Sequence, residues 1–245
     1  MAFSADKIRQ GAAGQGGYEI DQSLRGSKDR DTYLSWTPTS AGNRRTFTLS
    51  AWVKTSIKSS EGVKLLRAYS SDDNWSALGG IDSSGDVWAS YDRIGNTNTS
   101  RVRLNNLLRD PSAWYHIVIA IDTTQSTAAD RVKTYVNGEQ AGHNYTDYPS
   151  QNFEYSFLNN TYEHRILYKI ESGGNNQAGD GYVSEYNFID GQQLTAADFG
   201  ETGDYGEWKP KEYNGSHGTN GFYLPFENDY TVEGFSATVW KNAAP

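Results

Sequence analysis

Hydrolysis of a glycosidic bond needs two carboxyl groups held close together, one to deliver a proton and one to attack or to activate water. The nearest candidates in this sequence are Asp180, Glu185 and Asp190, spaced by five residues. Side chains on a strand alternate faces, so an odd spacing turns successive carboxylates away from one another. No E-x-D-x-E pattern, which would place carboxylates on one face, occurs in the chain. Glu185 is expected to share a strand face with Val183 and Ile189. It is therefore expected to be partly buried and tied to backbone amides or an arginine, because a buried carboxylate requires partners. His116, His143, His164 and His217 are scattered without ligand spacing, and His116 sits inside an apolar run where a hydrogen-bonded core histidine is expected. No serine elbow or Walker loop is present, and the glycines of Gly11–Gly17 precede a strand, so they offer no helix amides to phosphate. The chain has no cysteine, which excludes disulfides, cysteine-ligated zinc, iron–sulfur clusters and thiol nucleophiles. No catalytic, cofactor or metal residues are assigned. Ser70–Asn74 and Asp82–Asp86 gather oxygen donors in loops, as hard cations require, but neither has the spacing of an EF-hand. Aspartate and asparagine are also ordinary turn formers, so solvated turns are expected and loop-bound calcium is the one cofactor left open.

Aromatic side chains offer a second kind of chemistry, contact without reaction. Trp75, Trp88, Tyr91, Tyr145, Tyr148 and Tyr162 fall in or beside expected loops, where a ring can stack on a sugar, although most aromatics of a β-rich chain serve the core. The stretch Asn144–Tyr162 is long, irregular and aromatic, which marks a contact surface carrying Tyr145, Tyr148, Phe153, Tyr155 and Tyr162. Met1–Gly17 reads either as a frayed tail or as an arm laid on a neighbouring subunit, with Phe3 and Ile8 as its anchors.

The elements that must position these groups are strands. Thr46–Lys54 alternates with period two, placing Phe47, Leu49, Ala51 and Val53 on one face. Trp114–Ile121 is β-branched, with both faces expected to be buried. Arg131–Val136 runs into Asn137-Gly138, a strong signal for a two-residue hairpin. Gly80–Trp88 reads as strand, turn and strand, and further strands are predicted at Val63–Tyr69, Arg101–Leu104, Arg165–Glu171 and Tyr182–Ile189. Thr195 caps a short helical turn that Gly200 ends. Beyond it, Gly218–Phe226 and Phe235–Trp240 hold two more candidate strands. The organisation expected is an arm over 1–17, a sandwich over 18–199 and a segment over 200–245 that completes the sandwich or docks on it.

Composition supports the same class. The 33 aromatics supply a large apolar area for a core otherwise modest in aliphatic residues. A formal net charge of -8 argues against tracking nucleic-acid phosphates. No apolar run approaches the length of a membrane span, so no membrane insertion is expected, and the N-terminus lacks the apolar region of a secretory signal, so synthesis and folding in the cytoplasm are expected.

Phe47–Val53, Trp114–Val118, Tyr135–Gly138 and Gly181–Phe188 follow in the order seen in laminin-G-like, concanavalin A-like domains, and the chain resembles them over roughly Tyr18 to Phe199. The resemblance implies an all-β fold, a two-sheet antiparallel jelly-roll sandwich. A narrower likeness lies in Lys7–Gly14, Tyr33–Pro38, Ser40–Thr46, Phe188–Gln192, Phe199–Glu201, Trp208–Lys211 and Gly218–Phe222, which are similar to tailed-phage virion proteins carrying this module. It implies a non-catalytic structural protein of a virion: a capsid decoration, head fibre or tail component that contacts other virion proteins and forms a homo-oligomer. The alternative it leaves open is a lectin-like module that binds cell-surface glycans.

Overall fold

The computed structural model describes residues 18–27, 32–55, 62–71, 73–82, 84–95, 97–169, 177–226 and 236–238. Phe3 and Ile8, the expected arm anchors, lie outside the described residues. Two large antiparallel sheets face one another. The seven-stranded sheet has the order β1 (Leu24–Gly26), β15 (Gly181–Asp190), β3 (Thr46–Thr55), β8 (Tyr115–Asp122), β9 (Val132–Val136), β10 (Glu139–Gln140), with β18 (Phe222–Leu224) also paired to β15. The eight-stranded sheet has the order β11 (His143–Asp147), β7 (Thr97–Leu107), β6 (Asp86–Ile94), β5 (Asn74–Ile81), β4 (Val63–Ser71), β12 (Glu163–Ile166), β2 (Tyr33–Trp36), β19 (Ser236–Thr238). Two small ribbons, β13 (Tyr168–Lys169) with β14 (Gln177–Ala178) and β16 (Gly200–Thr202) with β17 (Trp208–Pro210), complete the set.

The main core lies between the sheets and takes alternate residues from each strand, Phe47, Leu49, Ala51 and Val53 from β3 and Ile117, Ile119 and Ile121 from β8 among them. The opposite face of β8 is buried too, for a separate reason. Val118, Tyr135 and Ile189 pack outward against Ala196 and Phe199, with Leu194, Trp208 and Tyr213 alongside. The segment after β15 thus covers part of the outer face of the seven-stranded sheet, while β18 and β19 add to the sheets themselves. At the β9–β10 turn Asn137 and Gly138 have φ of 48° and 88°, the left-handed pair that a two-residue hairpin demands.

Three expectations need correction. Glu185 does not share a face with both Val183 and Ile189. The pairing of β15 with β3 slips between Ser184 and Asn187, and Glu185 sits at that bulge with φ 48°. The extra residue resets the alternation, so Val183, Tyr186 and Phe188 enter the main core and Ile189 turns outward. The Asn144–Tyr162 stretch is not a free contact surface either. Tyr155 is fully buried, Phe157 and Leu158 join the core, and Tyr148, Phe153 and Tyr162 are half-buried against it. The physical reason is that this segment ties the sheets together: the Tyr155 amide donates to the Arg44 carbonyl beside β3, its hydroxyl meets Ser90 of β6, and the Phe157 amide donates to Ser76 Oγ of β5 at 3.1 Å. The strand expected at Arg165–Glu171 breaks at Leu167, whose φ is 64°, and its last two residues lie outside the described residues.

Candidate functional site

The candidate carboxylates are engaged by their own surroundings. Glu185 Oε2 accepts the hydroxyls of Tyr18 at 2.5 Å and Tyr223 at 2.8 Å, so phenols are among the partners of this carboxylate. Asp190 Oδ1 accepts the Asn43 amide at 2.8 Å and Asn159 Nδ2 at 2.6 Å, and Oδ2 accepts the Asn220 amide at 3.1 Å. That carboxylate knots three loops together. Asp82 Oδ1 accepts the amides of Ser84 at 2.9 Å and Asp86 at 3.1 Å, as an Asx turn does. Among the described residues no group of three histidine or acidic side chains is placed to hold a metal ion.

His116 is buried, as its position in an apolar strand suggested. Trp208 Nε1 donates to its Nδ1 at 3.0 Å, which leaves the ring proton on Nε2, 2.9 Å from Ser50 Oγ. Burial pulls its pKa down to about 3, and the ring stays neutral. His164 is likewise buried: it accepts the Asn159 amide through Nε2 at 3.0 Å and donates from Nδ1 to the Tyr162 carbonyl at 2.8 Å. Both histidines are structural.

The outward face of the eight-stranded sheet is different. Strand register lays Asp147, Arg101, Tyr91, Ala77, Arg67, Arg165 and Ser35 in one row across six steps of pairing. Beside it run Tyr145, Arg103 and Trp88, and Arg93, Trp75, Tyr69 and Glu163. The guanidinium of Arg67 lies 3.9 Å from the Trp75 ring centre, and that of Arg101 4.0 Å from Tyr145. Arg165 sits 4.9 Å from Tyr33, 5.3 Å from Tyr69 and 4.9 Å from Tyr168. Arg103 is 5.3 Å from Trp88, and Trp75 stacks on Tyr91 at 4.5 Å. Guanidinium and ring planes attract because the π-face is negative. Three ion pairs edge the surface: Arg93 with Asp73 at 3.2 Å, Arg103 with Asp86 at 3.4 Å, and Arg165 with Glu163 at 2.8 Å.

Arg67 and Arg165 are direct cross-strand neighbours, an arrangement that like charges disfavour. The Nε atoms of Arg101 and Arg165 are buried without a hydrogen-bond partner. A face built for stability alone has no need of either feature. Of the expected contact residues, Tyr145 belongs to this surface, whereas Tyr148, Phe153, Tyr155 and Tyr162 do not. Trp75, Trp88 and Tyr91 stand on strands rather than in loops. Sequence reading passed over the arginines, although Arg67-x-Tyr69, Arg101-x-Arg103 and Glu163-x-Arg165 each put two such groups on one strand face.

No curated protein matches the chain. Among solved structures it is similar to a heptameric SAP-like pentraxin from Limulus polyphemus, at 15% identity over 71% of this chain and 76% of that one, with a TM-score of 0.47. It is similar to domains of the mouse laminin alpha1 chain at 11% identity, over 86% of this chain and 49% of that one, with a TM-score of 0.48. A tailspike protein of an Escherichia coli bacteriophage matches at 16% identity over 72% of this chain, with a TM-score of 0.45, and the match spans only 23% of the tailspike. Residues 28–198 match a laminin-G-type sequence family whose description is the concanavalin A-like lectin/glucanases superfamily. With two antiparallel sheets enclosing one core and well over half of its length matched, the chain belongs to the concanavalin A-like lectin/glucanases superfamily as a laminin-G-like domain.

Proposed function

We propose that this protein is a non-catalytic recognition module on the surface of a tailed-phage virion, and that it works by contact with acidic surfaces of other virion proteins, copies of itself included. The observation that carries the contact reading is the arginine–aromatic face of the eight-stranded sheet. Tryptophan, tyrosine and arginine are the residues that dominate protein interfaces, because each brings a large rigid area together with a polar edge. Five arginines on one face of a chain with net charge -8 make that face complementary to the rest of the same molecule. The virion setting rests on the sequence likeness. The non-catalytic reading is supported by the engagement of Glu185 and Asp190 in structural hydrogen bonds.

Locating the protein in the particle by electron microscopy tests the setting, and its absence from particles overturns it. The contact is tested with Arg101→Ala/Arg103→Ala. Incorporation into particles, or self-association of the purified protein, is expected to weaken by about tenfold or more while the fold is kept. Raising the salt concentration is expected to weaken it in the same direction. Undiminished association of the double variant overturns the assignment of this face.

A further inference from the structure

We propose that the arginine–aromatic face takes a second copy of this chain, and that what it takes is the acidic β16–β17 ribbon with Tyr205 at its tip. The inference rests on the contact reading of that face and names its occupant. The two surfaces lie on opposite sheets of the sandwich, since the ribbon stands over the outer side of the seven-stranded sheet. One pair of copies therefore cannot make both contacts at once, and the interface is heterologous. A copy that gives its ribbon to one neighbour still offers its arginine face to another, so the assembly grows as a ring or a fibre.

The ribbon is a rigid projection. β16 and β17 pair from Gly200 with Pro210 to Thr202 with Trp208, and the turn between them, Gly203–Glu207, closes on itself. The Gly203 amide donates to the Glu207 carbonyl at 2.7 Å, the Gly206 amide to the Gly203 carbonyl at 3.1 Å and the Tyr205 amide to Glu207 Oε2 at 3.0 Å. Trp208 roots the base, packing on the outward cluster of the sheet and donating its indole N–H to His116 at 3.0 Å. The tip stands clear: a Cβ built on Gly206 meets nothing within 4 Å, and Tyr205 is 86% exposed. Folding gains little from a tyrosine held in water, whereas a ring on an ordered turn docks with little loss of conformational freedom.

Charge decides the partner. Glu201, Asp204 and Glu207 lie between Gly200 and Trp208 with no basic residue among them. Lys209 pairs with Glu201 at 3.1 Å, while Asp204 and Glu207 have no ion pair among the described residues. On the receiving face Arg101 is held by the Tyr145 hydroxyl and has no acidic partner among the described residues. Arginine–carboxylate bonds are among the strongest that side chains make, and two of them fix both position and direction. Asp204 and Glu207 of one copy would supply such bonds to Arg101 and Arg103 of the next. The Tyr205 ring then meets Trp88 and Tyr145, which stand 6.2 Å apart beside those arginines and offer it an edge or a face. An acidic partner also relieves the side-by-side like charges of Arg67 and Arg165.

The test is sedimentation velocity on the full chain at submillimolar concentration and low ionic strength. The unaltered protein is expected to associate beyond a dimer. Asp204→Lys/Tyr205→Ser, which changes only exposed side chains of the tip, is expected to weaken association at least tenfold, as is Arg101→Ala/Arg103→Ala. Mixed together, the two variants are expected to form a one-to-one pair and nothing larger, because the mixture holds one working face and one working ribbon. The inference is overturned if the unaltered protein stays monomeric, if the tip variant associates as the unaltered protein does, or if the mixture forms no pair. The tip variant decides the matter if the arginine variant fails to fold. Full association of the tip variant beside loss in the arginine variant removes the ribbon and leaves the arginine face standing with another acidic partner. Full association of the arginine variant removes the contact reading itself.

Discussion

At the scale of single residues, the buried histidines set the response of the protein to acid. Burial brings His116 down to about 3. Burial also brings His164 down to about 4, only partly offset by its hydrogen bond to the Tyr162 carbonyl. Unfolding restores both to the ordinary value near 6.5. Below that value the unfolded chain binds protons that the folded chain refuses, so stability is complete above about pH 6.5 and is lost as pH falls toward the folded values. In the window between, each histidine contributes a slope of about 1.4 kcal/mol per pH unit. Urea unfolding at a series of pH values is expected to show both contributions, and His116→Gln to remove one of them, giving a shallower profile between pH 6 and 5. An unchanged slope would show that His116 is protonated in the folded state. Glu185 is the other residue whose surroundings define it. The Tyr18 and Tyr223 phenols that hold it lie well above the usual phenol range, Tyr18 through burial and the Glu185 hydrogen bond, and Tyr223 through burial and its bond to Tyr18.

At the scale of elements, what the sequence made legible was whatever depends on local period and turn chemistry. The alternation in β3, the two-sided burial of β8 and the Asn137-Gly138 hairpin follow from residue types a few positions apart. The bulge at Glu185 does not, because a glutamate with positive φ carries no local signal and the slip is fixed by pairing with β3. Nor does the burial of Tyr155, since an irregular aromatic stretch reads alike whether it covers a core or faces a partner. The hairpin also shows how one glycine meets two demands. Gly138 has φ 88°, and a Cβ there would stand 2.5 Å from a ring carbon of Trp208. Gly95 has φ 57° with nothing within 4 Å of the same added atom. Gly95→Ala is therefore expected to cost about 1–2 kcal/mol, the left-handed conformation alone. Gly138→Ala is expected to cost more by about 1–3 kcal/mol, since it also displaces Trp208 and strips His116 of its donor. Urea denaturation of the pair reads the difference directly, and equal losses would mean that Trp208 is not held against the turn.

At the scale of the whole molecule, the two outer faces of the sandwich have different fates, and only the register across many strands reveals it. The arginine face gathers residues from Tyr33 to Tyr168, and no local window of sequence contains it. The opposite face is part covered by the segment after β15, which packs Phe199, Trp208 and Tyr213 over Val118, Tyr135 and Ile189. The same segment returns Leu224 to the main core through β18. From these contacts we infer that residues 200–226 are part of the fold rather than an attachment. Truncating one buried leucine costs about 2–5 kcal/mol, and the half-buried Trp208 adds a smaller loss of the same kind. The whole stability of a domain is about 5–15 kcal/mol. Loss of Trp208 and Leu224 together with two strand pairings therefore removes a sum comparable to the total. A chain ending at residue 199 is expected to lose its near-ultraviolet circular dichroism and to bind a hydrophobic dye through the uncovered sheet. The intact protein is expected to unfold in one transition that both tryptophan fluorescence and far-ultraviolet dichroism report at the same midpoint. A truncated chain that still melts cooperatively at the midpoint of the full chain would show that the covering segment is an accessory, and that the sandwich stands without it.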